Sequence, residues 1–552
     1  MRSSIALVVL GLGACGGSDD GPKGPITARV THYDLAFDVD TRATHVTITV
    51  DVEVPGDCLK LPFRGSEVDV PTLKIDGEPM RTVAIDANGS IEMCGSGYDI
   101  GTHTFEIDHV IPLQTLATSQ VGYSITQDAQ GNDFYYLVSW VGGCDRFAPC
   151  DNRPDQFATY TFRVTHPAGF LARCSGAITE ISPTETQCDF TAPGGPTYST
   201  FGVAVYPAWT QTSRGKWGSV DVTLYDRAQT GIAGVLDDTY HAGFVAFMED
   251  NFGAFPFGSE LRILTAPTYW SGFEHPGNIV LDDRLNGPSS YSDPVAHVTD
   301  HEIAHQWAGD QTTLADTYDF VWKEAMAEYL AYAYEDSVDP AIGAQTAFAW
   351  KLFSDGARFF PVPEPGVETA KPELFDYYGD VYGPGPLILF RQLEVLTSRQ
   401  AVIDGLKTVL GQPRALSVDE LIAALETSTG LDLAAYAAAW IHGSGAPQWP
   451  EAAVTFTAPS QVQVKLVKGA ERRCKFTVSL FGADPQTQRV DVVVDTFRDG
   501  PDQTLSIDAP AFAVVDTQVD PYSECLVFAG VATAARRTTP RPHPWRSGHL
   551  AP

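Results

Sequence analysis

The chain is poor in positive charge: 36 Lys and Arg stand against 69 Asp and Glu, a formal charge of −33. A duplex nucleic-acid binder needs a basic surface to neutralise phosphates, so no nucleic-acid partner is expected. Long apolar runs are also missing. Past the N-terminus, nothing approaches the roughly 18 consecutive apolar residues that span a bilayer. There is no internal repeat, no Cys-x-x-Cys pair, and no cysteine between Cys188 and Cys474. A thiolate metal cluster is therefore disfavoured. What the chain has is bulk: 552 residues, 44% of them hydrophobic. That is not the composition of a disordered chain, and at roughly 150 residues per domain it predicts three or four domains.

The N-terminus reads as an export signal. Met-Arg is followed by an apolar stretch from Ile5 to Leu12, then Leu12-Gly13-Ala14-Cys15 and a Gly/Ser/Asp spacer. Small residues before a cysteine resemble the lipobox of bacterial lipoproteins, which implies a signal peptide over 1–14, lipidation at Cys15 and a flexible tether over 15–28. An ordinary signal peptide, with Cys15 incidental, is the alternative. Gly16 after the cysteine implies an outer-membrane lipoprotein, facing the periplasm or the outside, with membrane contact only through the lipid anchor. The other cysteines, Cys58, Cys94, Cys144, Cys150, Cys174, Cys188, Cys474 and Cys525, are even in number. In an exported chain this reads as disulfides, and sequential pairing would staple the flanking domains only; spacing alone leaves the connectivity open.

Hydrophobic period divides the rest. Tyr33, Leu35, Phe37 and Val39 alternate with polar residues, as do Val46, Ile48, Val50 and Val52, and similar runs continue to about Tyr206. Period two predicts a mostly antiparallel β domain over 29–208. From about residue 235 the period becomes helical, with helices expected at 235–250, 294–308, 320–335, 342–353, 386–396, 418–427 and 433–442, so 209–449 is a mainly helical (α+β) domain. Alternation returns in Val462-Gln-Val464-Lys-Leu466 with Val478 and Val492, predicting a small C-terminal β-sandwich over 450–531. The stretch 532–552 is basic, proline-rich and without acids, and is expected to be disordered.

The chemistry is concentrated in the helical part. His301-Glu302-Ile303-Ala304-His305 is an H-E-x-x-H pentad, and Asp293-Pro294 upstream supplies a helix start. Histidines four apart share a helix face and reach one Zn²⁺, while Glu302, about 100° round, reaches a water at the metal. A catalytic zinc takes three protein ligands, and Glu324, eighteen residues past His305 on the next helical pattern, is the candidate third. His297, one turn before His301, reads as a surface residue or a group behind the ligands. Glu328, one turn after Glu324, either orients a ligand imidazole or lies on a solvated face, and the solvated face is the expectation here.

The segment from His301 through Gln306, Trp307, Gly309 and Asp310, followed by Trp322-Lys-Glu324-Ala-Met-Ala, resembles the gluzincin aminopeptidases of the M1 type. Cys150-Asp151-Asn-Arg-Pro154, Ser271-Gly272-Phe273-Glu274-His275 and Tyr382-Gly-Pro-Gly385 match further family segments, and the resemblance runs from about residue 30 to 530. It implies a thermolysin-like catalytic domain over 209–449, one Zn²⁺ per chain on His301, His305 and Glu324, and Glu302 as the base. It further implies that Tyr382 donates to the oxyanion, with Tyr377 and Tyr378 as rivals, and that Gly272, Phe273, Glu274 and His275 form a substrate-binding loop. Glu274 would bind the free N-terminus of a peptide substrate, and an internal peptide would leave it unpaired. Two features depart from the pattern. Trp140 stands where the family has a second amine-binding Glu or Gln, and His275 and Phe273 replace Asn and Met. The expected activity is that of a zinc aminopeptidase. The alternatives are a zinc endopeptidase or hydrolase of altered specificity, and a non-catalytic peptide-binding lipoprotein of the same fold.

Overall fold

The structure is a computed structural model and describes residues 24–530 except 66–71, 81, 86–88, 115–120, 192–200, 228–229, 269, 287–294, 364–371 and 373. The signal peptide, Cys15, most of the tether, the Asp293-Pro294 helix start and the basic tail lie outside the described residues. The first strand, Thr27–Asp38, begins within the expected tether.

That strand and its neighbour Ala43–Val54 bury alternate residues, as their patterns require: Val46, Ile48 and Val50 are fully buried while the residues between face outward. Each such side chain contributes roughly 1.5–3 kcal/mol of hydrophobic stabilisation. The two strands belong to an eight-stranded sheet that is antiparallel throughout except where Thr27–Asp38 runs parallel to Thr159–Thr165. A four-stranded antiparallel sheet of Leu171–Cys174, Gly202–Tyr206, Asp133–Val138 and Gly122–Gln127 joins it, and Gly56–Pro62, Ser90–Tyr98 and Thr82–Ile85 form a third sheet. The β-rich N-terminal reading therefore holds.

Next comes a mixed five-stranded sheet, in the order Thr210–Trp217, Val220–Asp226, Glu260–Ala266, Asn278–Asp282 and Gly272–Phe273. Its central strands run parallel and are largely buried on both faces, so Leu261 to Ala266 is buried at every position and shows no alternation. The short edge strand Gly272–Phe273 pairs antiparallel with Asn278–Asp282 and carries the start of the expected substrate loop.

Helices follow at Asp238–Phe252, Val295–Ala304, Phe320–Val338, Pro340–Ser354, Leu374–Val381, Arg399–Val409, Val418–Thr429 and Ala434–Trp440. Residues 384–396 form one further helical stretch with a π segment at Leu387–Arg391. Leu374–Val381 and Arg399–Val409 are additions to the sequence reading. Phe320–Val338 is buried on nearly every side, which makes it a core helix. Residues from 451 onward form a four-stranded and a three-stranded sheet.

All four sequential disulfides are present: Cys58–Cys94, Cys144–Cys150, Cys174–Cys188 and Cys474–Cys525. Among the described residues no helix is long and apolar enough to cross a membrane.

Candidate active site

Helices Val295–Ala304 and Phe320–Val338 pack side by side and bring His301, His305 and Glu324 together. The backbone bond from His305 N to His301 O, 3.2 Å, carries the helical turn through the second histidine. His301 Nε2 lies 3.0 Å from His305 Nε2, and Glu324 Oε2 lies 3.4 Å and 3.5 Å from these two nitrogens. Ligand bonds of about 2.0–2.2 Å at tetrahedral angles need edges of roughly 3.3–3.5 Å, so the two edges to Glu324 match one face of a zinc tetrahedron and the edge between the histidines is slightly short of it.

The protonation pattern fits as well. His305 Nδ1 donates to Ala308 O at 3.0 Å, which leaves Nε2 with its lone pair toward the ligand cluster. His301 Nδ1 lies 2.8 Å from Glu328 Oε1, which places its proton on the far side of the ring. Burial opposes charge on His301, while the Glu324 and Glu328 carboxylates favour it and raise the affinity of the ring for a proton, which a metal would displace from Nε2 on binding. A carboxylate behind an imidazole raises ligand basicity in the same way.

Glu328 is fully buried, which corrects the expectation of a solvated helix face. Its Oε2 accepts from Trp350 Nε1 at 2.7 Å, and its Oε1 faces His297 Nε2 at 3.3 Å and accepts from the Tyr382 hydroxyl. His297 is likewise not a surface residue: Nδ1 meets Glu335 Oε1 at 2.7 Å, and Glu335 in turn accepts from Thr346. A chain of polar groups thus runs from Thr346 through Glu335, His297 and Glu328 to His301. The sequence signal for it was two more acids at helical spacing, Glu328 and Glu335, in a helix otherwise too apolar to have a wet face.

Glu302 sits on the wall of the same cavity, and burial pushes its carboxyl up to about 8. A general base works best with a pKa near the working pH. Gly272 is the reason it fits. A Cβ there would fall well inside van der Waals contact of Glu302 Oε1.

The cavity is lined by Trp140, Trp270, Gly272, Phe273, Glu274, His301, Glu302, His305, Glu324 and Tyr378. Trp140 comes from the N-terminal β domain and packs tilted against Trp270 and edge-on against Phe320 and Tyr378, at 4.7, 5.2 and 5.9 Å between ring centres. Gln306, to which sequence reasoning gave no role, ties the substrate loop to the ligand helix: Nε2 donates to Glu274 O at 2.8 Å, and Oε1 accepts from Gly277 N at 2.8 Å.

Two of the expected residues stand elsewhere. His275 lies outside the lining, stacked behind Phe273 and packed against Gly202, where a Cβ would strike its ring. The Tyr382 ring is 6.3 Å from that of His301, with its hydroxyl on Glu328, whereas Tyr378 faces the cavity.

Glu274 corrects a further expectation, because its carboxylate has a partner within the chain. Lys323 Nζ donates to Glu274 Oε1 at 2.7 Å and to Glu324 Oε1 at 2.9 Å, and Lys323 is 1% exposed. Burial works against the ammonium, but the two carboxylates outweigh it and hold Lys323 well above the ordinary lysine range. Glu274 and Glu324 are correspondingly held low, against burial, by the Lys323 charge.

Comparison with known proteins agrees with this geometry. Residues 270–440 match the peptidase family M1 domain. Aminopeptidase N of Streptomyces lividans is 23% identical over 315 residues, which cover 53% of this chain and 36% of that protein. The tricorn protease-interacting factor F2 of Thermoplasma acidophilum is 22% identical over 441 residues, 76% of this chain and 54% of that one. The chain therefore spans between a third and a little over half of the length of these relatives. An M1 zinc metallopeptidase of Deinococcus radiodurans, solved with a Tyr-Ser-Ala substrate, superposes with a TM-score of 0.61 at 23% identity, covering 76% of this chain and 95% of that one. Legionella pneumophila aminopeptidase A, solved with aspartic acid, gives a TM-score of 0.70 at 15% identity, covering 92% of this chain and 60% of that one.

Proposed function

We propose that the protein is a zinc aminopeptidase that hydrolyses the first peptide bond of peptides. The observation that carries it is the convergence of His301, His305 and Glu324 beside Glu302 and Glu274 on one cavity wall. A single Zn²⁺ per chain on the three ligands would supply Lewis acidity, lowering the pKa of water to about 7 and polarising the scissile carbonyl. Glu302 takes the proton of the attacking water and returns it to the leaving amine. Glu274, held by Gln306, meets the N-terminal side of the substrate. Trp140, Trp270 and Phe273 shape the first side-chain pocket and keep water out. Tyr382 is assigned the oxyanion, with Tyr378 the alternative because it stands nearer the cavity.

In this reading 209–449 is a thermolysin-like catalytic domain and 450–531 a β-sandwich. The chain is an outer-membrane lipoprotein anchored at Cys15, with the acidic surface keeping its soluble part dispersed. Peptides with a free N-terminus are the partners, and no nucleic acid is bound.

A second reading, a zinc hydrolase of altered specificity, is favoured by one observation, the Lys323 ammonium on Glu274. Incubation with an unblocked pentapeptide and mass spectrometry of the products separates the two. Stepwise loss from the N-terminus is expected. Internal cleavage without that ladder would move the assignment to an endopeptidase, and full turnover in Glu302→Gln would remove the mechanism.

A further inference from the structure

We propose that Lys323 is a specificity-determining residue: a resident ammonium on Glu274 that relaxes the demand of the site for a free N-terminus. The inference rests on reading the site as a zinc peptidase and concerns which N-termini that peptidase accepts.

The geometry is specific. Lys323 immediately precedes Glu324 on the buried helix Phe320–Val338, so its backbone is fixed by the same turn that presents the ligand. Its Nζ bridges Oε1 of Glu274 and Oε1 of Glu324, while Oε2 of Glu324 faces the histidines. Gly309 makes the room: its φ is +138°, and a Cβ there would stand 2.9 Å from Lys323 Cε. Phe320 closes one side, with Nζ 5.7 Å from its ring centre. If the lysine left these carboxylates, its ammonium, on a side chain 1% exposed, would be left buried without them, and breaking a buried pair is strongly destabilising. The ammonium therefore stays when substrate arrives.

What a substrate meets is then a neutralised pair. An α-ammonium arriving at Glu274 shares that carboxylate with Lys323 and is repelled by it across a poorly solvated cavity. The other position expected to anchor an ammonium is Trp140, an indole packed among aromatic rings. The remaining acids on the lining, Glu302 and Glu324, serve as base and ligand. A peptide whose N-terminus is acylated forfeits little at such a subsite. The substrate class thus extends from free to N-capped peptides, as far as the aromatic walls leave space for the cap.

The test compares kcat/KM for alanine p-nitroanilide and N-acetylalanine p-nitroanilide in zinc-loaded protein. In the wild type the free-amine substrate is expected to lead by no more than about tenfold. Lys323→Met is expected to raise that ratio at least tenfold, since Glu274 then offers its full charge, and Lys323→Arg to keep it near the wild-type value. The same contrast is read without turnover by calorimetry of alaninamide and N-acetylalaninamide on Glu302→Gln protein, with and without Lys323→Met. A wild-type preference of a hundredfold or more for the free amine overturns the proposal, and this arm needs no lysine variant to fold. An unchanged ratio in Lys323→Met at normal zinc content overturns it as well. Failure of the wild type to cleave either anilide counts against the peptidase reading instead, and the calorimetric ratio then decides the role of Lys323.

Discussion

Glu302 occupies space that a side chain at residue 272 would take, and Gly272 leaves it free. A methyl group on residue 272 would occupy the space of Glu302 Oε1, and backbone on an edge strand paired to Asn278–Asp282 yields little. Gly272→Ala is therefore expected to cut kcat by ~100-fold while zinc content, measured by atomic absorption, stays at the wild-type level, because misplacing a catalytic group by an ångström costs about that much. Glu328 acts one step behind the metal. Glu328→Gln leaves the His301 ring without its carboxylate, and zinc affinity by chelator competition is expected to fall roughly 10–100-fold. Unchanged affinity would mean that Glu328 serves the fold alone. Among the phenols, Tyr382→Phe should lower kcat about 10²–10³-fold with little change in KM, the effect of losing an oxyanion donor. A larger loss in Tyr378→Phe would transfer the role to that side chain.

At the scale of elements, the site depends on how two helices and one edge strand are joined. Gln306 is the join between the ligand helix and the substrate loop, through both ends of its amide. The C-terminal sheets are held by another kind of link, the Cys474–Cys525 disulfide, which closes 51 residues of chain. A loop of that size adds about 4 kcal/mol in the chain-entropy account. Cys474→Ser/Cys525→Ser is accordingly expected to lower the denaturation midpoint clearly, while kcat/KM at 25 °C stays within about twofold, because neither cysteine lines the cavity. Loss of activity in step with loss of the bridge would show that the last sheets support the site directly.

The whole molecule matters because the catalytic cavity is shared between domains. Trp140, just past the strand Asp133–Val138, and Gly202, in Gly202–Tyr206, come from the N-terminal β domain, yet the first walls the cavity and the second receives His275 from the substrate loop. Arg262 reinforces the joint, its guanidinium donating to Cys174 O at 3.0 Å and Gly176 O at 2.7 Å. Two buried histidines make the assembly acid-sensitive. Burial holds both His109 and His275 down at about 4, against 6.5 for an unfolded histidine. Between those values the unfolded chain binds the extra protons, so stability is full above about pH 6.5 and declines as the pH falls towards 4, by roughly 3 kcal/mol for each ring. Chemical denaturation at pH 7 and pH 5 should show the loss, and His109→Phe should remove part of it. Equal midpoints at the two pH values would mean the rings are not held neutral.

Sequence alone was enough for whatever depends on local spacing. The period of two marked the β-rich start, the period of 3.6 most of the helices, and the intervals between His301, Glu302, His305 and Glu324 the ligand set, because a helix turns neighbours in number into neighbours in space. It was silent where partners lie far apart along the chain. The buried parallel strands around Glu260–Ala266 carry no alternation to read, since both their faces are covered. Glu328 looked solvated because its partners His297, Trp350 and Tyr382 come from three other segments. Lys323 drew no attention beside Glu324, and only the packing of the substrate loop against that helix set its ammonium on Glu274. Charge pairing over such distances is decided by which surfaces the tertiary fold presses together, and no interval in the sequence encodes it.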